Sequence, residues 1–131
     1  MTIMHRWLDE VWNQGRESTI DELLDPNVVT HGLTDGEGNE VTGIDSFRRF
    51  WRDFRAAFSG LHIDVQDAVS EGDLCVARFV ATARHTGEGF GKRPKGKPIK
   101  VAGMTMVRLK DGRIAEAWNN IDFLTMLQQM E

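Results

Sequence analysis

The hydrophobic pattern changes period near residue 60, and that change divides the chain. Ile3, Trp7, Leu8, Val11 and Trp12 recur at helical spacing, which predicts a helix over about Thr2 to Asn13 with Gly15 as its stop. A second, shorter helix is expected from Ser18 or Thr19, where Thr19 and Glu22 have capping-box spacing. Ile20, Leu23 and Leu24 form its buried side, and Asp25-Pro26 ends it. A brief extended piece, Val28-Val-Thr-His31, precedes a loop rich in glycine and acid, Gly32 to Gly43, that no core is expected to hold tightly. Asp45 or Ser46 then caps a third helix carrying Phe47, Phe50, Trp51, Phe54 and Phe58. That aromatic stripe reads as packing across a sheet rather than as a ligand-stacking box.

After Gly60 the period becomes two. Leu61, Ile63, Val65 and Val69 alternate with polar or small residues, and Glu71-Gly72-Asp73 turns the chain. The next strand, Leu74 to about Thr86, has one face made of Cys75, Ala77, Phe79, Ala81, Ala83 and His85. A strand from Ile99 to Leu109 and the Asp111-Gly112 hairpin signal lead into a fourth strand. The segment from Asp122 to Met130 adds a final helical turn or two. Helices first and an antiparallel meander second indicate an α+β fold, in one domain spanning residues 1–131.

Composition narrows the function classes. A net charge of -4 lacks the dense basic stripe a nucleic-acid surface needs, so no nucleic-acid partner is expected. The local exception, Lys92-Arg93-Pro94-Lys95-Gly96-Lys97, reads as a solvated loop rather than a phosphate site. One cysteine, Cys75, excludes an intrachain disulfide and fits a buried thiol in a reducing compartment. No apolar run has transmembrane length, and the charged N-terminal segment is unlike a signal peptide. The expectation is a cytoplasmic protein without membrane contact.

Candidate chemistry concentrates at two strand ends. The row of small residues from Cys75 to Ala83 leaves room for a packed helix or a ligand, and it ends in a titratable ring, His85. In the last strand, ideal alternation puts Ile114, Glu116, Trp118, Asn120 and Asp122 on one face, unless a bulge reverses the assignment. Trp118 would shield an Asp122 carboxylate and raise its pKa toward the range of proton transfer. The competing reading makes Asp122 the N-cap of the helix that follows. Four histidines without close spacing give no metal motif, and no Gly-x-Ser-x-Gly element is present.

These residues together resemble the SnoaL-like polyketide cyclases, within the larger group shaped like nuclear transport factor 2. The resemblance rests on Val28-Val-Thr-His31, Gly43-Ile-Asp-Ser-Phe47, Ala57-Phe-Ser-Gly-Leu-His62 and Glu71-Gly-Asp-Leu-Cys-Val-Ala-Arg78. Its most specific parts are Arg84-His-Thr-Gly87 and Lys110-Asp-Gly-Arg-Ile-Ala-Glu-Ala-Trp118, with Asp122 four residues on. It implies a cone: a curved antiparallel sheet wrapped around N-terminal helices, with a pocket at the open end and a homodimer as the usual assembly. It further implies Asp122 as acid/base with His85 as partner. His31, Trp118, Asn120 and Phe79 would line the site for a small hydrophobic molecule.

The implied chemistry is an intramolecular aldol closure. Asp122 removes a proton from an activated carbon, and the enolate attacks a carbonyl of the same molecule, with no metal or organic cofactor. The loop Gly91-Lys-Arg-Pro-Lys-Gly-Lys97 departs from the usual Gly-x-Pro-Thr-Gly-Lys pattern and alters the pocket rim or its surroundings. The chain has no tyrosine, which argues against the tyrosine-based isomerase and dehydratase mechanisms found on the same cone. A non-catalytic binding or dimerising module, or a dehydratase or hydrolase using a His-Asp pair, is the alternative.

Overall fold

The computed structural model describes residues 2–35 and 37–131. Helix α1, Ile3–Arg6, begins at a capping box in which Thr2 accepts from the His5 backbone and the His5 ring accepts from the Thr2 backbone. The chain continues directly as a π-helix, Trp7–Asn13. Helix α2 is Glu17–Leu23; it starts before the expected Thr19 cap, and Arg16 at its N-cap gives no side-chain bond. Thr19 instead lies buried inside the helix and donates to Glu10 at 2.9 Å.

Six strands form one curved, unclosed sheet in the order β2-β1-β6-β5-β4-β3. They are β1, Leu24–Thr34; β2, Glu40–Thr42; β3, Phe58–Glu71; β4, Leu74–His85; β5, Pro98–Lys110; and β6, Arg113–Ile121. Helix α3, Ile44–Ala57, lies between β2 and β3, and α4, Phe123–Gln129, follows β6.

The expected meander is present from β3 to β6, where every neighbouring pair is antiparallel. Asp111 and Gly112 take φ of 52° and 77°, as the tight hairpin between β5 and β6 requires. Two features depart from the sequence reading. Strand β1 joins β6 in parallel, with His31 opposite Trp118. The loop expected to be loose also contains β2, whose Val41 is fully buried.

The concave face holds the core. Trp7, Leu8 and Val11 pack there with Phe47 and Trp51 of α3, and Phe79 and Ala77 of β4 close from the sheet side. The Trp51 indole donates to the Val11 carbonyl at 3.0 Å, fixing α3 against the first helical segment. Asn13 exchanges both amide bonds with the backbone of Ile63, at 3.0 and 2.6 Å, next to an irregular stretch of β3. A second apolar cluster forms where α4 folds over the sheet, burying Met126 and Met130 against Phe58, Ala83 and Ile99. Among the described residues no helix is long and apolar enough to cross a membrane.

Candidate functional site

Between the helices and the concave sheet lies a cavity of about 90 Å³. Trp7, Trp12, Phe47, Phe50 and Phe54 line the helical side; Phe79, Ile99, Val101, Val107 and Ile121 line the sheet. Phe123 and Met126 of α4 complete the wall. Among the described residues no histidine and no charged side chain lines it. Its inward polar groups are Thr30, Thr105 and Asn119, along with the tryptophan indoles, while Thr82 borders it from a strand position that faces outward.

Thr105 and Asn119 face each other across β5 and β6. The Thr105 hydroxyl donates to Asn119 Oδ1 at 3.1 Å, and Asn119 Nδ2 donates to the His31 carbonyl at 3.0 Å. A backbone carbonyl can only accept, so it fixes which end of the amide is the donor. The second N–H of Nδ2 and the lone pairs of the Thr105 oxygen are left for a ligand. In apolar surroundings such groups orient what binds.

Asn119, rather than Asn120, faces inward because β6 is irregular. The register with β5 shifts between Arg108 and Leu109, leaving Ala115 as the extra residue opposite them. Ile114 points inward before the shift, and Ala117, Asn119 and Ile121 do so after it. Glu116, Trp118 and Asn120 therefore occupy the opposite, convex face. This corrects the expected placement of Trp118 and Asn120 in the pocket.

His31 is corrected on the same grounds. Its ring stacks on Trp118 at 5.6 Å, outside the cavity. There Nε2 meets Glu116 at 2.7 Å and Nδ1 meets Glu40 at 3.2 Å. The Glu116 hydrogen bond, reinforced by Glu40, raises the His31 pKa above its ordinary value despite partial desolvation. Only the His31 carbonyl, through Asn119, touches the polar point of the cavity. Phe79 lines the cavity, its ring lying over Gly103, where an added Cβ would come within 2.8 Å of it.

Asp122 and His85 do not form a pair. Asp122 is exposed and N-caps α4: Oδ1 accepts from the Thr125 backbone at 3.1 Å, and the Thr125 hydroxyl donates to Oδ2 at 2.6 Å. Those two bonds, the hydroxyl's first, hold its carboxyl below the usual aspartate value. The carboxylate borders a shallow outer depression with Arg78, Met104 and Asn120.

His85 is fully buried, and neither ring nitrogen has a hydrogen-bond partner among the described residues. The Phe58 ring lies 5.5 Å away. The His85 backbone N–H donates to the carbonyl of Lys97, just before β5, and the Asp122 backbone N–H donates to the carbonyl of Ala102 within β5. The two backbones thus sit about five residues apart along the chain entering and forming β5, and neither His85 ring nitrogen bonds the carboxylate that Thr125 holds. The expected acid/base dyad is thus not assembled.

Comparison with known proteins places this geometry in a family. The family model for the SnoaL-like polyketide cyclases matches residues 2–130. The structure of IdmH from Streptomyces antibioticus is 35% identical, covers 93% of this chain and 91% of IdmH, and superposes with a TM-score of 0.79. TsrD from Streptomyces laurentii is 25% identical over 97% of this chain and 90% of TsrD, with a TM-score of 0.83. A SnoaL-like polyketide cyclase from Agrobacterium tumefaciens, 16% identical over 98% of this chain and 95% of its own, shares the fold with a TM-score of 0.77. None of the curated protein sequences matches the chain. The chain belongs to the SnoaL-like polyketide cyclase family.

Proposed function

We propose that the cavity binds a neutral, mostly apolar, carbonyl-bearing chain of polyketide type and promotes its ring closure by holding it folded. The observation that carries this reading is a wall with no ionisable group among the described residues, interrupted by the Thr105–Asn119 pair. A buried charge without a partner costs several kcal/mol, so the cavity favours neutral molecules. The free N–H of Asn119 is suited to a carbonyl oxygen. A hydrogen bond there orients the chain, acidifies the neighbouring C–H so that its proton passes to solvent base at the cavity mouth, and strengthens as charge builds on that oxygen in an enolate-like transition state. Confinement adds the entropic advantage of an intramolecular reaction held near its closing geometry. Resemblance to IdmH, described as a candidate polyketide cyclase, supports the same substrate class.

A second reading keeps Asp122 as the proton acceptor. Its position favours this, since Asp122 stands between Ile121 and Phe123, which both line the cavity. The carboxylate would first have to leave Thr125 and turn inward.

The two readings separate in one experiment. A linear poly-β-ketone thioester is allowed to cyclise in buffer and with wild-type, Asn119→Leu and Asp122→Asn protein, and the ring products are compared. The confinement reading expects Asp122→Asn to direct products as wild type does, and Asn119→Leu to lose that control. Product patterns identical to buffer for the wild type defeat both readings for this substrate class.

A further inference from the structure

Ion pairing on this surface is uneven: among the described residues Arg49, Arg55, Lys110 and Arg113 form no ion pair, and the segment around residues 84–100 is the most basic stretch of the chain. Arg6, Arg16, Arg48, Arg52, Arg78 and Arg108 each meet a carboxylate. Residues 84–100 hold six of the sixteen Lys and Arg side chains against one of the twenty Asp and Glu. Within that segment Lys92 pairs with Glu131 and Lys97 donates to the Glu131 backbone oxygen. Among the described residues Arg84, Arg93, Lys95 and Lys100 form no ion pair.

Two of these free cations line a depression on the outer face of the sheet, together with Ser59, Gly60, Thr82 and Gln129. Ser59 lies opposite Arg84, and Thr82 lies opposite Lys100. All four are exposed, on the face opposite buried Ala83 and Ile99. Beside the depression the β3–β4 register slips between Ser59 and His62, where Gly60 takes φ of 63° and an added Cβ would meet nothing within 4 Å. The positions of Lys100 and Arg84 are tied down. Gln129 exchanges two hydrogen bonds with the Lys100 backbone, at 2.8 and 3.0 Å, and Arg84 donates to the Gly96 carbonyl at 2.9 Å. Diagonal neighbours on adjacent strands stand about 7–8 Å apart, and like charges at such spacing repel. An anion between them relieves that repulsion.

We propose that Ser59, Thr82, Arg84 and Lys100 form a binding site for a phosphate group. Two cations and two hydroxyls presented by three neighbouring strands, β3, β4 and β5, supply donors from several directions, as a tetrahedral dianion accepts them, and Arg84 can offer parallel N–H groups. Arg93, Lys95 and Lys97 belong to the loop joining β4 to β5 and add attraction over the Debye length. The site is independent of how the cavity is used, although Thr82 and Ile99 border both.

The test is an amide-shift titration of ¹⁵N-labelled protein with inorganic phosphate at fixed ionic strength, with chloride as the control. The site predicts saturable shifts at Gly60, Thr82 to Arg84 and Lys100, and binding at least tenfold weaker in the exposed, fold-neutral double variant R84Q/K100Q. Octyl phosphate distinguishes the source of the group. Tighter binding, with shifts spreading to cavity residues, identifies the headgroup of an apolar molecule; binding equal to inorganic phosphate identifies free phosphate. Non-saturating shifts, an equal response to chloride, or full retention of binding in the double variant overturns the site.

Discussion

Replacing Asp122 by alanine and by asparagine separates a capping role from an acid/base role. Alanine removes both bonds to Thr125 and leaves an N–H at the start of α4 without its partner. Loss of an aspartate N-cap costs about 1 kcal/mol, within a range of about 0.5–2. For a chain of this length that corresponds to a fall in Tm of roughly 3–6 °C. The effect reaches the cavity because α4 supplies Phe123 and Met126 to its wall and buries Met130 beside them. Asparagine caps about as well as aspartate, so Asp122→Asn is expected within about 0.5 kcal/mol of wild type. Urea unfolding of the three proteins, read by far-UV circular dichroism, gives the differences directly. Equal destabilisation by asparagine and alanine would refute the capping argument. Loss of ring-product control in a stably folded Asp122→Asn would return the carboxylate to catalysis.

Two further outcomes test other parts of the structure. The raised His31 pKa means that its pairing stabilises the fold fully below the ordinary histidine value of about 6.5, and that this contribution fades as pH rises through the higher folded value. Glu116→Gln should therefore lower the His31 pKa measured by NMR, and should cost more stability at pH 6 than at pH 9; an unchanged His31 titration contradicts the pairing. Gly32 has φ of 85°, and an added Cβ would lie 2.0 Å from the Asn119 carbonyl, whereas at Gly38, φ 84°, it would meet nothing within 4 Å. Gly32→Ala is expected to cost more than about 3 kcal/mol and Gly38→Ala only about 1–2, so equal urea midpoints would argue against the close β1–β6 approach.

The fold was legible where local signals were strong. The aromatic stripe of α3, the period-two runs and the Asp111-Gly112 turn each point to one element, and the cyclase-family motifs tie them together. Strand β2 was hidden because three residues with a single buried side chain, Val41, carry no periodicity. The parallel entry of β1 depends on a long-range pairing that no local pattern encodes.

The site was legible only in part, for one physical reason. A single extra residue in β6 reverses alternation, exchanging Asn120 for Asn119 at the cavity and sending Trp118 to the convex face with His31. Phe79 faces the cavity as simple alternation expects, because β4 keeps its register with β5 throughout. The capping alternative for Asp122 was visible in the sequence, since an aspartate directly before an apolar helical run satisfies it without any pocket. That His85 would be enclosed without partners was not visible, because it follows from α3, the Phe58 ring and the β4–β5 loop closing together around one strand end.

The central claim is that the cavity selects a neutral carbonyl compound through Asn119 and Thr105. Binding of anthraquinone and of anthraquinone-2-carboxylate, followed by quenching of tryptophan fluorescence from the cavity-lining Trp7 and Trp12, tests it most directly. The account predicts that the neutral quinone binds at least tenfold more tightly, a difference of about 1.4 kcal/mol, and that Asn119→Leu weakens it. Equal or tighter binding of the carboxylate inside the cavity, unaffected by Asn119→Leu, would contradict it.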